Sequence, residues 1–134
     1  MRRKLFTIGR VGFGLLYLAA GISNLVMAFT DPEVYRTFTE KTYLPFYDTL
    51  WKRYVDPHLA IWIVMLAALE FVLAGLLLTR RAYVRVGLAG GIIFTLLLVP
   101  SNPYTLLNLI LVGLQMLLFA YDLRTRHSHM ETKL

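Results

Sequence analysis

The sequence predicts an all-α fold, a polytopic membrane four-helix bundle with a short interfacial helical segment between its first and second spans. The chain has 134 residues, and 57% of them are hydrophobic. The apolar residues fall into four blocks that are separated by charged residues or by proline and asparagine. These blocks leave too little chain for a second folded unit, so residues 1–134 are predicted to form a single integral membrane domain.

Each apolar block has the length of a membrane-spanning helix. The predicted spans cover about residues 8–29, 59–78, 83–100 and 104–121, with an outer loop at 30–58. A helix that rises about 1.5 Å per residue needs roughly 20 residues to cross about 30 Å of hydrocarbon. The turns at Arg80-Arg81 and at Asn102-Pro103 are short, so consecutive helices are predicted to be antiparallel neighbours.

The outer loop is predicted to be helical rather than disordered. Asp31-Pro32-Glu33 opens one short helix, and Pro45 opens another that runs through Val55. The aromatic residues of this loop recur mainly every three to five positions; they are Tyr35, Phe38, Tyr43, Phe46, Tyr47, Trp51 and Tyr54. Such spacing is typical of amphipathic helices at the headgroup level. The loop is either a lid on the mouth of the bundle or a docking surface or ligand gate.

The distribution of charge predicts the orientation of the chain. Its net charge is +6, and ten of the fourteen Lys and Arg residues lie in or next to the two termini and the turn between spans two and three. Cytoplasmic segments of membrane proteins are enriched in Lys and Arg, so both termini are predicted to be cytoplasmic. No basic stripe with interleaved aromatic residues remains, so we expect no nucleic-acid partner.

Glu70 is the most informative polar residue of the spans. The segment 59–78 contains no other charged residue. A carboxyl group at this depth costs a few kcal/mol, so it must be paired, hydrogen-bonded, neutralised or wetted. Two interpretations are open. Glu70 either holds the bundle together as a structural polar group, or it binds a ligand or carries protons.

The other polar residues of the spans fall into two layers when depth is counted along each helix. Tyr17, Glu70 and Gln115 share an inner layer, and Asn24, Thr95 and Asn108 share an outer one. In a four-helix bundle each layer is expected to form a hydrogen-bonded cluster, with the Tyr17 hydroxyl and the Gln115 amide donating to Glu70. These six residues are the candidate site, as a ligand-binding or a structural polar layer.

Small residues predict where the helices approach each other. Span one carries a stripe on one helix face, made of Arg10, Gly14, Tyr17, Gly21 and Asn24. Span two has Ala67 and Ala74 beside Glu70, and an adjacent row of Ala68 and Gly75. Span three has Gly87, Gly90 and Gly91. Small residues let membrane helices pack closely, so we interpret these rows as helix interfaces.

The chain has no cysteine, which excludes thiol relays and thiolate-held metal centres. Its three histidines are His58, at the outer mouth, and His127 and His129, in the tail. A haem held by two histidines inside the bundle is therefore excluded, and we interpret His127-Ser128-His129 as part of a polar tail rather than as a metal site. We expect no metal and no catalytic residue.

Two segments resemble the DoxX family of small four-helix membrane proteins. Gly14-Leu15-Leu16-Tyr17-Leu18-Ala19-Ala20-Gly21-Ile22-Ser23-Asn24 is similar to the glycine-framed first span of that family. Glu70-Phe71-Val72-Leu73-Ala74-Gly75-Leu76-Leu77-Leu78-Thr79-Arg80 is similar to its second span, an acidic residue followed by an apolar run and a basic turn. Family members often carry lysine or histidine where this chain has Asn24. The resemblance implies the four-helix fold and an association with membrane redox systems.

Three functions are open. Our first expectation is a non-catalytic or accessory subunit of a membrane redox or respiratory complex in a prokaryotic cell membrane. It would bind other membrane subunits or copies of itself within the lipid bilayer and need no cofactor. The second is a quinone- or lipid-binding oxidoreductase subunit, with Glu70 and Tyr17 hydrogen-bonding the quinone head group. The third is a small proton-coupled transporter that works as a dimer around Glu70.

Overall fold

The structure of the chain, a computed structural model, describes residues 2–39, 44–79, 82–101 and 104–131. The predicted turn at Arg80-Arg81, the predicted helix start at Asn102-Pro103 and the predicted interfacial Tyr43 lie outside the described residues. So do the side chains of Phe38, His127 and His129.

Every regular element in the described ranges is helical, which confirms the all-α prediction. The α-helices are α1 (Arg2–Thr30), α2 (Arg36–Thr39), α3 (Pro45–Leu50), α4 (Leu59–Leu78), α5 (Val84–Leu98) and α6 (Thr105–Glu131). Helical turns of other pitch connect them: 3-10 turns at Pro32–Tyr35, Asp56–His58 and Val99–Ser101, and a π-helical turn at Trp51–Val55. The predicted starts at Asp31-Pro32-Glu33 and at Pro45 are both seen.

Three helical stretches have the length and hydropathy to cross a membrane, namely Arg3–Thr30, Pro45–Leu78 and Thr105–Thr125. This is compatible with an integral membrane protein. Helix α5 has 15 residues, which is shorter than the predicted span 83–100 and corresponds to a rise of about 22 Å. The 3-10 turn at Val99–Ser101 continues it. The crossing of the membrane by all four helices and the side on which the termini lie stay predictions.

The four long helices run antiparallel to their neighbours in the chain. Helix α1 packs along α4 over most of its length, α5 packs along α6, and α4 contacts α5. Where α1 begins and α6 ends, the rings of Phe6 and Tyr121 lie 5.6 Å apart between centroids; we name this the terminal end. Ala28 and Leu59 share a small core at the opposite end, the loop end, which carries the described residues 31–39 and 44–58.

Small residues account for the close approach of α1 to α4, as predicted. A Cβ atom at Gly14 would lie 2.6 Å from Leu78 Cγ, and one at Gly21 would lie 2.9 Å from Phe71 Cε1. A larger residue at either position would force the Leu78 or the Phe71 side chain to shift, so glycine permits this close approach. The predicted row of Ala68 and Gly75 is different, because both residues are exposed on the outside of the bundle.

The described residues between α1 and α4, 31–39 and 44–58, cover the loop end, and we name them the lid. Tyr35, Trp51 and Val55 pack against the core made of Ala28, Leu59 and Ile63. Trp62 Nε1 of α4 also donates to the Tyr54 carbonyl oxygen, at 3.0 Å. These contacts support the lid interpretation. Phe46, Leu50 and Tyr54 remain exposed and form the side of the lid that faces away from the core.

Candidate functional site

Glu70 faces the interior of the bundle. It is 4% exposed and belongs to the buried face of α4, whose members recur every three or four residues: Leu59, Ile63, Ala67, Glu70, Leu73, Ala74 and Leu77. This periodicity places the carboxyl group against α1 rather than against the surroundings of the bundle. The sequence therefore puts a carboxyl group on the face that the helix must bury for packing.

The Glu70 carboxyl group takes part in a chain of hydrogen bonds that ends in the lid. Asn24 Nδ2 of α1 donates to Glu70 Oε2 at 2.6 Å. The Tyr35 hydroxyl, on the 3-10 turn after α1, donates to Asn24 Oδ1. We name Glu70, Asn24 and Tyr35 the carboxyl cluster. Asn24 uses its amide as donor on one side and acceptor on the other, so it joins the carboxyl group to the lid.

The local fold after α1 explains why Tyr35 reaches this position. The Asp31 amide donates to the Met27 carbonyl oxygen at 3.0 Å, and Pro32 then opens a new turn. Proline at the first position of a turn fixes the backbone angle and supplies no amide donor. Burial raises the pKa of the Tyr35 hydroxyl to about 12, and Glu70 contributes to the rise. Tyr35 is therefore a protonated donor at neutral pH.

A second group of polar side chains, which we name the neutral cluster, lies between α1, α5 and α6. It consists of Tyr17, Thr95, Gln115 and the carbonyl oxygen of Gly91. The Tyr17 hydroxyl lies 3.1 Å from Gln115 Oε1, 3.1 Å from Thr95 Oγ1 and 3.2 Å from the Gly91 oxygen. Gln115 Nε2 lies 3.4 Å from Thr95 Oγ1. The three side chains can therefore form a closed ring of hydrogen bonds.

The two clusters differ from the predicted layers. Tyr17 and Gln115 bond each other and Thr95, not Glu70, while Glu70 bonds Asn24 from the other predicted layer. Side chains of a helix lean toward its N-terminus. Since α1 and α4 are antiparallel, Asn24 leans toward the terminal end and Glu70 toward the loop end, and the two meet. The predicted layers are counted from Cα positions alone, which ignores the direction in which each side chain points.

Asn108 is the one predicted site residue that joins neither cluster. It lies on α6 and is 8% exposed, and its Nδ2 atom has no hydrogen-bond partner among the described residues. The predicted outer layer of Asn24, Thr95 and Asn108 is therefore not assembled as one cluster, because Asn24 and Thr95 each bond other residues.

Sequence reasoning missed an ion pair at the terminal end. Arg85 Nε of α5 lies 2.6 Å from Asp122 Oδ2 of α6, and the Asp122 side chain is 2% exposed. The signal that indicates Asp122 is the spacing on α6: Asn108, Gln115 and Asp122 follow one another every seven residues, and all three are buried. A repeat of seven places polar residues on one helix face.

Tyr35 was predicted as an interfacial aromatic residue, and its bond to Asn24 assigns it to the site as well. It lies eleven residues after Asn24, across a proline turn, so no helical periodicity links the two positions. Only the path of the chain after α1 brings them together.

The chain matches no protein-family model, no curated protein and no solved structure. The resemblance of its first and second spans to the DoxX family therefore stays a prediction. The geometry of the two clusters is the basis for assigning a role to this protein.

Proposed function

We propose that this protein is a non-catalytic accessory subunit of a membrane complex. The observation that carries the proposal is the use of the Glu70 carboxyl group inside the chain itself, by the Asn24 amide at 2.6 Å and through it by Tyr35. A carboxyl group that holds the lid to α1 and α4 through Asn24 contributes to the stability of the subunit. Chemistry on a substrate would require this group to leave its partner.

The position of two cavities supports the same proposal. Cavities of about 440 Å³ and 170 Å³ lie between α1 and α6 toward the terminal end. Their lining includes none of the three residues of the carboxyl cluster. Ligand sites are usually concave and enclose most of the ligand. The redox or respiratory character of the partner complex rests on the DoxX resemblance alone.

Substitution of Glu70 tests this proposal. Glu70→Gln keeps an oxygen acceptor for Asn24 Nδ2, so we expect the subunit to fold and to co-purify with its partners at wild-type yield. Glu70→Ala removes the acceptor and leaves a cavity, so we expect a loss of about 2–4 kcal/mol of stability and a lower yield. The measurement is gentle extraction of the tagged protein from its own membranes, followed by mass spectrometry of the co-purifying proteins.

A different result would contradict the accessory role. If Glu70→Gln assembles normally but abolishes the activity of the purified complex, the carboxyl group takes part in chemistry. If the wild-type protein is extracted without partner proteins and with a stoichiometric small molecule, the proposal that it is a subunit is wrong.

The second candidate is a quinone- or lipid-binding oxidoreductase subunit that uses Glu70. The observation that favours it is the continuity of the carboxyl cluster, which leads from a buried carboxyl group to a lid residue. If the lid lifts, the Asn24 amide and the Glu70 carboxyl group become available to the oxygen atoms of a quinone head group. In that case Glu70→Gln should abolish electron transfer to quinone with the bundle intact.

The same variant tests the small proton-coupled transporter. Proteoliposomes of the wild-type protein would then show a substrate-dependent proton flux that Glu70→Gln abolishes. Equal flux in both proteins, or flux at the level of empty liposomes, would contradict this function.

A further inference from the structure

Helices α1 and α6 leave a groove between them toward the terminal end. The two helices contact each other at fewer positions than α1 and α4 do, and a cavity of about 440 Å³ opens between them. Its apolar lining includes Leu5, Gly9, Phe13, Leu114, Leu117 and Leu118. From Leu5 to Phe13 the groove follows α1 for about 12 Å. It therefore runs along the helix axes, as a lipid acyl chain would.

A basic pocket continues this groove at its end. The smaller cavity, of about 170 Å³, is lined by Arg3, Thr7 and Arg10. Phe6 and Tyr121 line both cavities, so the basic pocket and the apolar groove are contiguous. Positions 3, 7 and 10 follow the helical spacing of four and three residues, and they lie on one face of α1.

The charges around the pocket favour an anion. Arg10 Nη1 donates to the Thr79 carbonyl oxygen at 3.3 Å, which uses one of the five N–H donors of its guanidinium group. Asp122, on α6 at this end, is paired with Arg85 at 2.6 Å and is buried. The Asp122 carboxylate is therefore not exposed to an anion at Arg3 and Arg10.

We propose that this groove binds one anionic phospholipid, with its phosphate group at Arg3 and Arg10 and one acyl chain in the apolar groove between α1 and α6. The basic pocket lies at the ends of apolar helices, which is where headgroups meet a membrane-spanning bundle, and basic pockets between such helices bind anionic headgroups. A polar end joined to an apolar groove matches the two parts of a phospholipid. The proposal is independent of the role of Glu70.

The test is native mass spectrometry of the full chain in a mild detergent with equimolar phosphatidylglycerol and phosphatidylcholine. We expect the wild-type protein to keep one phosphatidylglycerol under conditions that remove phosphatidylcholine. In the double variant R3Q/R10Q the fraction with bound phosphatidylglycerol should fall at least fivefold. The matched control is K4Q/R124Q, which removes two exposed charges from the same end, outside the pocket lining; it should change the bound fraction less than twofold.

Three results would overturn the proposal. Equal retention of the two lipids by the wild-type protein would mean that charge is not recognised. An equal loss in R3Q/R10Q and K4Q/R124Q would mean that general attraction, rather than the pocket, holds the lipid. A dimer that forms through this groove and excludes lipid would assign the surface to a second copy of the chain.

A second measurement applies if R3Q/R10Q does not fold. Leu117 lines the groove and is 69% exposed, so Leu117→Trp places a fluorescent side chain there with little strain. Phosphatidylglycerol with brominated acyl chains should quench the added fluorescence at least twice as strongly as brominated phosphatidylcholine. The wild-type protein, whose Trp51 and Trp62 lie at or near the loop end, provides the background. Equal quenching by both lipids would overturn the proposal.

Discussion

The neutral cluster and the carboxyl cluster both begin at a polar side chain of α1, but they connect different parts of the molecule. Tyr17 bonds residues of α5 and α6, so the neutral cluster joins three long helices. Asn24 bonds α4 on one side and the lid on the other. The first cluster therefore stabilises the bundle by itself, whereas the second depends on a segment outside the long helices.

The chemistry of the two clusters differs in the same way. Hydroxyl and amide groups satisfy one another in the neutral cluster, and each hydrogen bond contributes about 0.5–1.5 kcal/mol. A buried carboxyl group costs more when it lacks a partner than it contributes when it has one. Through the carboxyl cluster, the stability of the bundle depends on the docking of the lid. The contribution of the neutral cluster does not depend on the lid.

The largest expected effect comes from Gly91→Ala, which breaks the neutral cluster. A Cβ atom at Gly91 would lie 2.7 Å from the Tyr17 hydroxyl oxygen and would collide with Gln115 Oε1. We expect a loss of about 2–4 kcal/mol from overpacking and lost hydrogen bonds. The measurement is reversible unfolding in detergent micelles.

The matched control is Gly113→Ala on α6, where a Cβ atom would meet nothing within 4 Å. Alanine is favoured over glycine in a helix by roughly 0.5–1 kcal/mol, so this variant should be as stable as the wild type or more so. Equal stability of the two variants would mean that the neutral cluster does not tighten the bundle.

Tyr17→Phe has the next largest effect, because it removes the hydroxyl but keeps the ring against Phe94. It leaves Gln115 and Thr95 with fewer partners in a buried place, which should cost about 1–3 kcal/mol. Hydrogen exchange of residues 31–39 should stay at the wild-type rate, because the lid is not part of this cluster. Tyr83→Phe, at an exposed position, is the control. Faster exchange in the lid would show that the two clusters are coupled.

Tyr35→Phe is expected to act on the lid more than on the bundle. It removes the bond to Asn24 and keeps the ring, so global stability should fall by only about 1 kcal/mol. Hydrogen exchange and proteolysis of residues 31–39 should become faster, with Tyr54→Phe as the control at an exposed lid position. An unchanged lid would mean that the packing of Trp51 and Val55 is sufficient to hold it.

The smallest effect is a dependence on alkaline pH. The pKa of Tyr35 is raised by burial to about 12, above the ordinary value near 10. A raised pKa means that the folded state favours the protonated hydroxyl, so its contribution is fully present below about pH 10 and is lost as the pH rises toward 12. In the wild type, we expect hydrogen exchange of the lid amides to accelerate in that range by more than the intrinsic pH dependence of exchange. In Tyr35→Phe it should change only with that intrinsic dependence. Parallel pH profiles in both proteins would contradict the role of the Tyr35 hydroxyl in holding the lid.

The sequence pattern is sufficient to predict the helices, because the apolar blocks and the charged, proline and asparagine residues that separate them are local properties. The stripe of Gly14 and Gly21 also predicts the α1–α4 interface, since one helix face is determined by spacing alone. Glu70 is identified in the same way, as the charged residue of the segment 59–78. For all of these, residues near each other in the chain carry the information.

The tertiary structure decided which polar groups pair. Glu70 meets Asn24 rather than Tyr17 because the lean of side chains and the rotation of each helix determine the partner, and neither is encoded in depth along a single helix. Tyr35 enters the site because the chain folds back after Pro32, and Asp122 is neutralised because α5 brings Arg85 beside it. Pairing depends on two helices at once, and this is why the sequence of one helix does not determine it.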